Sequence, residues 1–210
     1  MMDLPYRQAG TELCEAVTFL HSRGWCSGTG GNFSVRVETE PLRFLISPSG
    51  ADKGTLVPEG LVLSDKDGVK LDDGLGKPSA ETLLHAVIYE VRGAGSVLHT
   101  HSVWNTVLSS EVAAGNMELT GWEMIKGLEG VRTHEHTEIV PTLTNSQDMP
   151  TLARRVRAIL GVHPEAHGFL LAGHGLYTWG ATIAEARRHV EIFEFLFEVE
   201  GTRRLLHGNR

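Results

Sequence analysis

Residues Gly168-Phe-Leu-Leu-Ala-Gly-His-Gly-Leu-Tyr-Thr-Trp179 place two short apolar runs on either side of the turn Gly173-His174-Gly175. Runs this short and this apolar suit strands buried inside a sheet, and the glycines flanking His174 let the backbone turn tightly while leaving space for a ligand. Upstream, Ser96-Val-Leu-His-Thr-His101 predicts another strand. Downstream, Thr182 followed by Glu185 is a capping box, and Ile183, Ala186, Val190, Phe193 and Phe197 form one apolar stripe of a last helix. Working further outward, helical spacing of Leu13, Ala16, Val17 and Leu20 predicts a helix over 6–24, stopped by Gly24. Strands are expected over 33–37 and 42–46, with a hairpin of 61–63 and 69–71 around Lys66-Asp67-Gly68. Ser79 is expected to cap a helix reaching Val91. Shorter helices are expected over 103–112 and 121–128, a strand over 138–141, and a helix from Pro150 to Gly161. This mixture predicts an α/β fold with a central sheet covered by helices on both sides.

No repeat or linker-like stretch divides the 210 residues, so one domain spanning 1–210 is expected. The formal net charge of −7 lacks the basic excess that nucleic-acid binders carry, although a local pocket for one phosphate is compatible with it. No apolar run approaches the length of a membrane span, and Met1-Met2-Asp3-Leu4-Pro5 does not resemble a secretion signal, so no membrane partner and a cytoplasmic location are expected. Cys14 and Cys26 are too few for a disulfide scaffold and wrongly spaced for a zinc ribbon.

The chemistry starts from His99-Thr100-His101. Residues i and i+2 of a strand share a face, so both imidazoles can reach one ion, although two histidines of a half-buried strand would have the same spacing. Holding a catalytic Zn²⁺ with an open position takes a third ligand, for which His174 is the candidate. A second H-x-H, His134-Glu-His136, lies in a polar stretch and is expected to be a solvated loop. Three small polar loops, Gly28-Thr-Gly-Gly-Asn32, Ser47-Pro-Ser-Gly50 and Lys77-Pro-Ser79, have the donors to hold a phosphate if they converge, and are otherwise ordinary turns. Glu81 and Glu123 are the acid/base candidates. Each also has a plain structural explanation, as a charge complementing a helix dipole and as a solvated carboxylate.

Taken in order, Gly30-Gly-Asn-Phe-Ser34, Ser47-Pro-Ser-Gly50, Lys77-Pro-Ser-Ala-Glu-Thr82, His99-Thr-His101 and Ala172-Gly-His-Gly175 resemble the class II aldolase/adducin family from about residue 6 to 200. The resemblance implies a three-layer α/β/α fold around a mixed, largely antiparallel sheet, and a homotetramer with sites near subunit interfaces. It implies one Zn²⁺ per subunit on His99, His101 and His174, and phosphate contacts from Asn32, Ser49, Gly50 and Ser79. The aldolase catalytic glutamate falls on Glu81 and the acid/base glutamate of the dehydratase branch on Glu123, although some dehydratases carry cysteine where this chain has Glu81. Glu123 is therefore ranked first as general acid/base, with Glu81 as a substrate or alternate metal contact.

Trp122-Glu-Met-Ile-Lys-Gly127, Thr137-Glu-Ile-Val-Pro141 and Asn145-Ser-Gln-Asp148 are similar to that dehydratase branch. Ala80 in place of a second serine, and a C-terminus, residues 203–210, without the aldolase tyrosine, also point away from carbon–carbon cleavage. The expected activity is the zinc-dependent dehydration of a phosphorylated ketose bearing a methylthio group, a step of methionine salvage, with the tail near Trp104, Trp122 or Met124. The alternatives are a class II sugar-phosphate aldolase and a non-enzymatic adducin-like interaction module.

Overall fold

The computed structural model describes residues 4–74, 76–112 and 115–208. In chain order its elements are α1 (Leu4–Ser22), β1 (Asn32–Glu38), β2 (Arg43–Ile46), β3 (Val62–Asp65), α2 (Thr82–Arg92), β4 (Ser96–Thr100), α3 (Val103–Val112), β5 (Gly115–Thr120), β6 (Thr137–Leu143), α4 (Met149–Val162), β7 (Gly168–Leu171), β8 (Gly175–Gly180) and α5 (Ile183–His207). The strands form one eight-stranded sheet in the order β3-β2-β1-β4-β8-β7-β6-β5. Among the described residues only β6 and β7 run parallel; the other neighbours are antiparallel.

Strand alternation sorts the apolar side chains between two faces. Val97, Phe169, Leu171, Tyr177 and Trp179 pack with α2 and α4 on one side. On the other, Phe33 and Leu98 meet α1 and the start of α5, while Leu170 and Leu176 meet α3 and the rest of α5. The result is the expected three-layer α/β/α arrangement. The capping box read in the sequence forms, with Thr182 accepting the Glu185 N–H at 3.1 Å at the start of α5, and the structure adds a second cap, the Asp148 carboxylate accepting the Thr151 N–H at 3.1 Å at the start of α4. Caps of this kind contribute about 1 kcal/mol each.

Four local expectations differ. Residues 121–128 do not form an α-helix but a 3-10 turn, Glu123–Gly127, because only Ile125 and Leu128 are drawn into the core and one turn satisfies both. The edge strand β5 was not expected; just two of its side chains, Met117 and Leu119, are buried. Helix α2 starts later than Ser79, with Glu81 at its cap position, while Ser79 closes the preceding turn by accepting the Glu81 N–H at 3.2 Å. In the hairpin, β3 pairs back only through the isolated bridge Ser64–Lys70.

Candidate metal centre and active site

His99 is the penultimate residue of the fully buried strand β4 and His101 follows that strand directly, while His174 sits in the turn joining β7 to β8, the strand paired with β4. Sheet register therefore brings together residues far apart in the chain. One ligand nitrogen from each of the three lies within 4.8 Å of the other two. Specifically, His99 Nε2 is 3.4 Å from His174 Nε2 and 2.7 Å from His101 Nε2. Tetrahedral ligands at about 2.1 Å from a zinc ion stand about 3.4 Å apart.

The backbone fixes the tautomer that matters. His99 Nδ1 donates to the Leu176 carbonyl at 2.8 Å, so Nε2 keeps its lone pair and points into the cluster. Burial, reinforced by the two neighbouring imidazoles, holds His99 well below the usual histidine pKa; His101 is lowered to about 4, again mainly by burial. Two neutral nitrogens are thus available to a divalent cation at neutral pH. Beneath them the Tyr177 ring stacks on His99 with centroids 3.9 Å apart and planes 11° from parallel. Gly175 is required here, since a Cβ at that position would stand 2.2 Å from the Thr100 carbonyl oxygen and 3.0 Å from the His99 ring. The donor set, three imidazoles and a carboxylate, fits a catalytic zinc or a similar divalent metal.

That carboxylate is Glu81, at the cap position of α2. Its Oε1 is 3.4 Å from His174 Nε2 and its Oε2 is 3.9 Å from His99 Nε2. A buried polar chain holds it in place. Tyr89 donates to Ser34 Oγ (2.6 Å) and Ser34 donates to His85 Nδ1 (2.7 Å); His85 Nε2 then donates to Asn32 Oδ1, and Asn32 Nδ2 donates to Glu81 Oε2. Burial lowers His85 to about 3, so it stays neutral and can accept at one nitrogen while donating at the other.

The other predicted residues fall in two groups. Asn32 Nδ2 lies 3.4 Å from Ser79 Oγ, and the Ser49 N–H donates to the Lys77 carbonyl at 2.9 Å, which ties the Ser47–Gly50 loop to the Lys77–Ser79 loop. Gly30 packs against His101: a Cβ there would meet its Nδ1 at 3.2 Å. The small polar loops therefore converge beside the histidines. Glu123 does not join them. It is exposed, paired with Lys126 at 2.5 Å and His134 at 3.8 Å, and the hydrogen bond from Lys126 holds its pKa below the ordinary value. Strand β5, which leads to it, lies four places along the sheet from β4, a lateral path of about 19 Å at ordinary strand spacing.

Trp104 packs over Gly201 of α5, and Trp122 and Met124 flank Glu123. In the second H-x-H, His134 is exposed as expected, whereas His136 Nε2 is 3.1 Å from the buried carboxylate of Glu138, which also takes the His167 ring. Several residues that shape the site carry no motif. Glu194 is fully enclosed on α5, accepting from Thr100 Oγ1 at 3.0 Å and Asn105 Nδ2 at 2.9 Å, and so pins the strand end between His99 and His101. The Tyr177 hydroxyl lies near Glu81 and Asn32, with no hydrogen bond of good geometry to any described residue. The available signal for Glu194 was a carboxylate directly after Phe193 in the apolar stripe.

Converging imidazoles next to a carboxylate and a set of glycine and serine loops define a metal-dependent lyase-type centre on an α/β/α sheet. The chain belongs to the class II aldolase and adducin family, whose N-terminal domain it matches over residues 11–200. It is 46% identical over 197 residues to a methylthioribulose-1-phosphate dehydratase of Marinobacter nauticus, covering 93% of both chains. It is 44% identical over 209 residues to the enzyme of that name from Methylococcus capsulatus, covering 99% of this chain and 98% of the other. Among solved structures, an L-fuculose 1-phosphate aldolase superposes with a TM-score of 0.79 over 99% of this chain and 90% of that one; at 23% identity this reports the shared fold alone.

Proposed function

We propose that this chain catalyses the dehydration of 5-methylthioribulose 1-phosphate to 2,3-diketo-5-methylthiopentyl 1-phosphate. The observation that carries this function is the meeting of His99, His101, His174 and Glu81 in a chain 43–46% identical to relatives bearing the dehydratase name. His99, His101 and His174 would hold Zn²⁺, which supplies Lewis acidity that polarises the C2 ketone and makes the C3 proton acidic. Asn32, Ser49, Gly50 and Ser79 bind the phosphate and fix the sugar's register. Glu81, oriented by Asn32, contacts the substrate or the cation from the α2 side.

Glu123 takes the C3 proton and delivers a proton to the departing C4 hydroxyl, so that water leaves and the C3–C4 enol ketonises. Glu123 follows β5, four places along the sheet from the strand that carries His99, so a neighbouring copy supplies it. Exposed apolar side chains on α3 and α5, among them Val103, Val107, Phe195 and Leu205, support burial against further copies, and we assign a homotetramer. The methylthio tail rests near Trp104, Trp122 or Met124. Among the described residues no helix is long and apolar enough to cross a membrane; a cytoplasmic location and a single domain over 1–210 complete the proposal.

The test is to incubate the zinc-loaded protein with 5-methylthioribulose 1-phosphate and identify the product by mass spectrometry. A product lacking one water is expected, together with loss of both bound zinc and turnover in His174→Ala. Release of dihydroxyacetone phosphate would instead assign an aldolase, and no conversion would remove the dehydratase altogether.

A further inference from the structure

Lys53 is only 1% exposed, and no other lysine or arginine is buried among the described residues. A buried ammonium is ordinarily matched by a carboxylate, because an unpaired charge is costly to remove from water. Here no carboxylate of the described residues lies within ion-pair distance. Lys53 Nζ instead donates to two backbone carbonyls, Thr29 at 3.0 Å and Ala51 at 2.8 Å. One belongs to the glycine loop 28–32 and the other directly follows the Ser47–Gly50 loop. An ammonium has three donors, and these bonds use two of them.

Burial lowers the pKa of Lys53, and the surrounding groups offset that only in part. The nearby Cys26 thiol is pushed up to about 12 by burial and so stays neutral. Asp52 is exposed, and its carboxylate accepts the Gly54 N–H at 2.8 Å. In a chain of net charge −7, a lone buried cation lies under the loops that border His101.

We propose that Lys53 is a positioning residue of the anion cradle, clamping the two loops through their carbonyls and giving them the positive potential that draws in a phosphate monoester dianion. This deepens the proposed function, since it rests on these loops receiving the substrate's phosphate. Lys53 acts on phosphate affinity through the loops and through its charge.

The test uses the full-length, zinc-loaded protein with inorganic phosphate as the calorimetric probe, comparing Lys53→Gln, Lys53→Met and Lys53→Arg. Glutamine can still donate to the carbonyls but has no charge, methionine has neither, and arginine keeps both. Expected is a rise of about tenfold or more in the phosphate dissociation constant for the Gln and Met variants, with Arg close to wild type and zinc content retained in all. With the phosphorylated substrate, KM should rise by a larger factor than kcat falls. Equal phosphate affinity in wild type and Lys53→Gln would overturn the proposal, and so would an Arg variant as weak as Gln, which would mark a packing role. Should Lys53→Met fail to fold, the Gln and Arg pair still decides. Calorimetry needs no turnover, so failure of the dehydratase assignment would leave this result readable on its own.

Discussion

Replacing Glu194 with glutamine should remove a pH-dependent weakness from the core of the protein. Its carboxyl is fully enclosed between α5 and the end of β4, and burial raises its pKa from 4.5 to about 7 against the opposing hydrogen bonds from Ser102, Thr100 and Asn105. An acid whose pKa is higher in the folded than in the unfolded chain stabilises fully below the unfolded value and loses that contribution as pH rises through the folded one. At roughly 1.4 kcal/mol per pH unit, the interval from 4.5 to about 7 corresponds to a loss of about 3 kcal/mol, complete by about pH 8. Glutamine has no charge to bury, and the Thr100 and Ser102 hydroxyls can rotate to meet its amide. The assay is urea unfolding of metal-stripped wild type and Glu194→Gln across this range, comparing midpoints at a common slope. Taking the difference between the two proteins cancels titrations they share, such as that of the His167–Glu138 pair. The variant should gain about 3 kcal/mol relative to wild type between about pH 4.5 and about pH 8. A difference that stays flat across the range would refute the claim that burial of this carboxyl dominates its hydrogen bonds.

Two further outcomes are expected. Glu123→Gln should keep its zinc but lose about a hundredfold or more in kcat, the usual scale of a general acid/base; mixing it with His174→Ala subunits should restore part of the activity, and an absence of complementation would contradict supply from a neighbouring copy. Gly175→Ala should destabilise the chain by about 3 kcal/mol or more and weaken zinc binding, because its methyl group would overlap the Thr100 carbonyl oxygen; an unchanged melting temperature would show that the β4–β8 pair can spread at no cost.

The apolar runs at 96–101 and 168–179 were legible because buried central strands are marked by composition alone, and the face-sharing of His99 and His101 follows from strand period. The triad was legible only as a candidate until the β4–β8 register placed His174 beside them. Strand β5 was not, since two buried side chains, Met117 and Leu119, make too weak an alternation to distinguish an edge strand from a loop. The residues 121–128 contain apolar positions at helical spacing, yet a single 3-10 turn was enough to bury them. Charged groups taken inside were the hardest to foresee. Lys53 and Glu194 have the composition of solvated positions, and only packing of distant loops and helices over them determines otherwise.

The Leu176 carbonyl that accepts the His99 Nδ1–H hydrogen bond also bears on how that ring meets a metal. Because His99 is locked with a bare nitrogen inward and His101 stays uncharged down to about pH 4, an arriving cation displaces no hydrogen ion from either ring at neutrality. Their contribution to metal retention is therefore level across the ordinary range of acidity and falls away only in strongly acidic solution. These two rings can therefore take a cation back at neutrality without waiting on the buffer around them.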